Sequence, residues 1–147
     1  MNKLRRTVAM MTMGIAMLWA GPAAAQPAKP GAAQIPPPAK RPERVEIARG
    51  PEVEIANDQF TIIRWTTNNP GGSDVHYGVV HYGTNPEKLN QKAQNPIRLN
   101  QNHPETTFRV QMRGLEPRTT YYYTVTSMES NGKSDEVKSA VQQFTTP

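Results

Sequence analysis

"RGLEPRTTYYYTV", residues 113–125, decides the fold. In an extended strand successive side chains point to opposite faces. Tyr121, Tyr123 and Val125 then share one face, and Tyr122, Thr124 and Thr126 share the other. Leu115-Glu116-Pro117 carries turn chemistry and follows an alternating run, Phe108, Val110 and Met112. The reading predicts a corner at Leu115 and Pro117, with the Tyr121 ring turned inward and its hydroxyl bonded back to the backbone of the turn. Most of the tyrosine triplet is therefore interior, and it is not a stacking platform.

The same pattern extends on both sides. "VEIARGPEVEIA", "FTIIRW", "VHYGVVHYG", "TTFRVQM", "TTYYYTVTSM" and "SAVQQFTT" are short and rich in β-branched or aromatic residues. Gly50-Pro51 is read as a break that divides the first run in two. Turn signals bound the rest, among them Asn68 to Gly72, Asn85-Pro86, Asn95-Pro96, His103-Pro104 and Asn131-Gly132. No stretch shows a helical period. The prediction is an all-β chain, a seven-stranded antiparallel Greek-key β-sandwich over residues 44–147. Trp65 is assigned to its centre, with Leu115, Pro117 and Tyr121 as further core positions.

The leading residues read differently. Lys3, Arg5 and Arg6 precede an apolar run of about 14 residues, too short to span a bilayer, which takes about 20. Ala23 and Ala25 follow at cleavage-site spacing. Residues 1–25 are therefore expected to be a secretory signal peptide, and residues 26–43 a semi-rigid proline-rich linker. After cleavage no membrane span is expected. The chain has no cysteine, which excludes disulfides and a lipoprotein anchor. A periplasmic or secreted bacterial protein fits best.

Charge excludes one partner class. The full chain is +5, yet residues 44–147 hold 11 basic and 11 acidic residues. A near-neutral domain gives no basic stripe for a phosphate backbone, so no nucleic acid is expected. His76, His81 and His103 are the only histidines. They read as scattered surface imidazoles, and Asp135-Glu136 as a solvated turn. No metal, cofactor or catalytic residue is predicted. Candidate binding residues fall in two loops. The first, residues 68–77, offers Asn68, Asn69, Asp74 and Tyr77. The second, residues 127–136, offers Asn131, Lys133 and Asp135.

"LEPRTTYYYTV" resembles the corner of fibronectin type III domains through Leu115, Pro117, Thr119 and Tyr121. "GPEVEIANDQFTIIRWTTN", "VVHYGTNPEKLNQKA" and the closing "FTTP" are similar, in order, to the N-terminal fibronectin-like domain of purple acid phosphatases and related metallophosphoesterases. In those enzymes a two-metal catalytic module follows, with Asp-x-His and Gly-Asn-His motifs. That motif set is read as missing here, so no catalytic residue is carried over. The resemblance implies a non-catalytic accessory module. The expected role is contact with a protein at the cell envelope. Binding of an envelope polysaccharide, or partnership with a separately encoded phosphoesterase, are the alternatives. The oligomeric state is left open.

Overall fold

The computed structural model describes residues 40–147. The signal peptide expected over residues 1–25, and the linker up to residue 39, lie outside the described residues. Among the described residues no helix is long and apolar enough to cross a membrane.

Among the described residues the fold is all-β, with eight strands in two antiparallel sheets. They are β1 (Ile47–Ala56), β2 (Phe60–Asn68), β3 (Val75–Gly83), β4 (Gln91–Arg98), β5 (Glu105–Arg113), β6 (Thr120–Glu129), β7 (Ser134–Lys138) and β8 (Gln142–Thr145). One sheet runs β1-β2-β5. The other runs β4-β3-β6-β7, with β8 also on β6. Chain connections cross between the layers after β2, β4 and β5, as a Greek-key sandwich requires.

Eight strands replace the expected seven for three reasons. Gly50-Pro51 bulges β1 instead of ending it, and pairing with β2 resumes on the far side. Gly50 has φ +80°, and a Cβ there would lie 2.9 Å from the Arg64 carbonyl oxygen, so only glycine fits this bulge. Asn95-Pro96, read as a turn, lies inside β4. That strand is at the sheet edge, and Pro96 faces Tyr77 where no further strand needs its missing N–H. Finally, a strand forms ahead of the last run, β7 over residues 134–138, most of it read as loop. β7 and β8 both pair with β6, and Ser139 to Val141 separates them.

The core lies between the sheets. Ile63, Trp65, Phe108, Val110 and Met112 come from the smaller sheet; Val80, Tyr82, Tyr121, Tyr123, Val125 and Phe144 come from the larger one. Trp65 stacks on Phe108 with ring centroids 5.3 Å apart. Gly78 lies under the indole: a Cβ at that position would sit 2.9 Å from Trp65 Cη2. The inward stripe of β6 is therefore Tyr121, Tyr123, Val125 and, further on, Ser127 and Glu129.

The corner forms through a hydrogen bond. The Glu116 N–H donates to the Tyr121 hydroxyl oxygen at 3.0 Å. The chain end braces the same turn: the Thr146 hydroxyl donates to the Glu116 carbonyl at 2.6 Å, and the Arg118 N–H to the Pro147 carbonyl at 2.9 Å. Leu115 is half-buried against the core, but Pro117 is exposed, which corrects its assignment to the core. Pro117 lies at the surface in the turn between β5 and β6, where it restrains φ and fills no interior space. Tyr121→Phe keeps the ring and loses the hydroxyl. We expect a loss of about 1 kcal/mol in urea unfolding, the usual worth of one hydrogen bond.

Burial acts on the tyrosine hydroxyls. It pushes Tyr123 up to about 12, helped by the charge of Glu52, and raises Tyr82 as well, helped by Tyr121. The folded state then keeps protons that the unfolded chain loses above its ordinary value of 10.0. This contribution is complete below that pH and is lost as pH rises toward 12. The urea midpoint should hold steady to about pH 10 and fall beyond it. Tyr123→Phe should flatten that decline.

Candidate functional site

The two predicted loops are mostly structural. Asn68 Oδ1 accepts from the Glu46 N–H, and its Nδ2 donates to the Arg44 carbonyl, both at 2.8 Å. Asn69 Nδ2 donates to the carbonyls of Asn100 and His103, and its Oδ1 accepts from the Gly71 N–H. Both amides are spent on holding the chain. Asp74 is exposed and accepts from Gln101 Nε2 at 2.8 Å. Tyr77 is half-buried on the outer face of β3. Asn131 and Lys133 lie in the exposed β6–β7 turn, where the Lys133 N–H donates to Asn131 Oδ1.

Three readings need correction here. Residues 127–129 and 134–136, taken as loop, belong to β6 and β7. Asp135 is not a solvated turn residue; it is 4% exposed. His76 is not a surface imidazole but fully buried. In each case alternation continues the inward stripe past its last apolar residue. His76 extends Tyr82, Val80 and Gly78 on β3, and Ser127 and Glu129 extend Tyr121, Tyr123 and Val125 on β6. A polar residue at the next inward position was the signal that could have found them.

These side chains meet at one end of the sandwich. His76 is paired with Glu129 across the sheet, and Asp135 projects from the adjoining β7. His76 Nε2 lies 3.4 Å from Asp135 Oδ1. The Ser127 hydroxyl donates to Asp135 Oδ2 at 2.8 Å, and the Ser73 hydroxyl to Glu129 Oε2 at 2.6 Å. Arg41 closes the cluster. Its guanidinium pairs with Glu129 Oε1 and lies 3.7 Å from Asp135 Oδ1. The linker expected to end at residue 43 is thus docked on the domain from Arg41. Among the described residues, neither ring nitrogen of His76, nor Asp135 Oδ1, has a hydrogen-bond partner.

The reading of the metallophosphoesterase motifs as missing also needs one correction. Asp74-Val75-His76 spells Asp-x-His. The two side chains do not cooperate, since Asp74 engages Gln101 at the surface while His76 faces Glu129 and Asp135 inside. His81 stands apart on the outer face of the larger sheet, in a shallow groove with Leu89, Thr124, Lys138 and Val141. Partial burial holds its imidazole below the usual range, with the charges of Lys92 and Lys138 adding to the effect.

A two-sheet Greek-key sandwich with a tyrosine-locked corner defines a fibronectin-like module. The family described as "Purple acid Phosphatase, N-terminal domain" matches residues 51–146, and the chain belongs to it. In purple acid phosphatases this domain is the non-catalytic part. No curated protein matches the chain.

Proposed function

We propose that the chain is an exported, non-catalytic module that binds a protein partner at the cell envelope through the open edge of β1. The observation that carries this reading is the apolar exposure of that edge. Val53 and Ile55 are 37% and 43% exposed, on a ten-residue strand that among the described residues is paired on one side alone. Such an edge presents free N–H and C=O groups to a further strand. The neighbouring charges are already matched across the sheet. Arg49 pairs with Glu105 at 2.5 Å, Arg64 with Glu52, and Arg109 with Glu54 at 2.8 Å. The Arg109 hydrogen bond is the main cause that holds the Glu54 carboxyl below its usual range. These charges along the strand are already paired, which favours apolar and backbone contacts in recognition.

Tyr77 and Tyr122 do not form a sugar-stacking pair. Tyr77 faces Met128 across the sheet, and Tyr122 lies six residues further along the same strand, about 20 Å away. Partnership with a phosphoesterase supplied in trans is one form of the protein-binding reading.

Capture from exported extract tests the proposal. The wild type should retain a defined partner, and Val53→Lys with Ile55→Lys should release it while circular dichroism stays unchanged. Equal capture by the folded double variant would refute the edge. Hydrolysis of a phenyl phosphate by the pure chain, with or without divalent metal, would refute the non-catalytic reading.

A further inference from the structure

We propose that His76, Glu129 and Asp135 form a site for a divalent first-row transition cation, and that Arg41 is its resident competitor. The inference is independent of the partner proposed above. The donor atoms of the three residues lie within 4.8 Å of one another. Zinc bonds to nitrogen and oxygen of about 2.1 Å, arranged as a tetrahedron, put neighbouring donors about 3.4 Å apart. His76 Nε2 and Asp135 Oδ1 are separated by 3.4 Å. A hydrogen bond would draw them to about 2.7–3.2 Å.

The imidazole supplies the second observation. His76 is 0% exposed, and both of its ring nitrogens lack a hydrogen-bond partner among the described residues. An unsatisfied buried polar group is costly, and a metal bond would satisfy one of these atoms. The carboxylates are already oriented. Ser127 holds Asp135 Oδ2 and Ser73 holds Glu129 Oε2, which leaves Oδ1 and Oε1 for the cation. Outer hydrogen bonds of this kind are the usual support of metal-ligating carboxylates.

The donor set selects the ion class. One imidazole and two carboxylates suit zinc, cobalt or manganese, with a water in the fourth place. Calcium needs six to eight oxygens, more than the cluster provides. The Arg41 guanidinium faces the same two carboxylate oxygens. Metal entry therefore exchanges one positive charge for two, and releases Arg41 from the cluster.

The test uses the full chain without a histidine tag, stripped by chelator. It is titrated with cobalt(II), followed by visible absorption, and with zinc(II) by competition. One ion per chain is expected. His76→Gln and Asp135→Asn should each weaken binding at least tenfold. Arg41→Gln should tighten it about tenfold, because no internal cation has to leave. His81→Gln and His103→Gln should bind as the wild type does. The wild-type His76 ring nitrogens should shift in nitrogen-15 spectra on zinc addition, which keeps the test decisive if a ligand variant fails to fold. The proposal is overturned by the absence of saturable cobalt absorption, by loss of binding in the His81 or His103 variant, by an unchanged affinity in Arg41→Gln, or by His76 resonances that stay fixed at saturating zinc.

Discussion

Trp65→Ala should lower folding stability by about 3–5 kcal/mol, the range for deleting a large buried aromatic side chain. The indole is 1% exposed and stacks on Phe108, itself 1% exposed. Collapse into the vacated space is restricted because the neighbours belong to paired strands. Phe108 is opposite Trp65 in the β2–β5 ladder, and Gly78, beneath the ring, has no side chain to move in. The domain has no disulfide to offset the loss. With about 5–15 kcal/mol available to a typical domain, the variant should unfold at a much lower urea concentration with an unchanged m-value. A midpoint that scarcely moves would remove Trp65 from the centre of the core.

Arg41→Ala should cost about 2–4 kcal/mol when measured in chelator. Removing one partner of a buried ion pair leaves the other charge uncompensated, which costs about 3–5 kcal/mol in a fully buried setting. Here the Arg41 side chain is 32% exposed, so water recovers part of the loss. The carboxylates it faces are not so placed: the side chains of Glu129 and Asp135 are 9% and 0% exposed. Arg44→Ala, three residues on, is the control. Its side chain is 83% exposed and reaches Glu46 at only 3.9 Å, so the urea midpoint should stay where it was. Equal effects of the two substitutions would show that Arg41 does not neutralise the cluster.

The contrast between Asp135 and Glu136 shows where legibility in the sequence stopped. Local composition makes them one acidic turn. In the fold β7 points Asp135 inward and leaves Glu136 exposed, with a φ of +59°. The corner at Leu115 and Tyr121 was legible because its parts lie within a few residues of one another. The cluster was not, because His76, Glu129 and Arg41 come together only when β3 pairs with β6 and the segment before β1 docks. Asn68 and Asn69 look like loop residues free to bind a ligand until their carbonyl partners at Arg44, Asn100 and His103 are seen.

Period-two alternation, turn residues and the tyrosine corner determined by themselves that the chain is a β-sandwich with Trp65 and Tyr121 inside. These are local properties: side-chain direction in a strand depends on the backbone alone. The tertiary structure alone decided that the polar ends of the inward stripes converge on a buried imidazole, two carboxylates and one guanidinium. Charge pairing and burial depend on distances between strands remote in the chain, and those distances exist only once the two layers have closed.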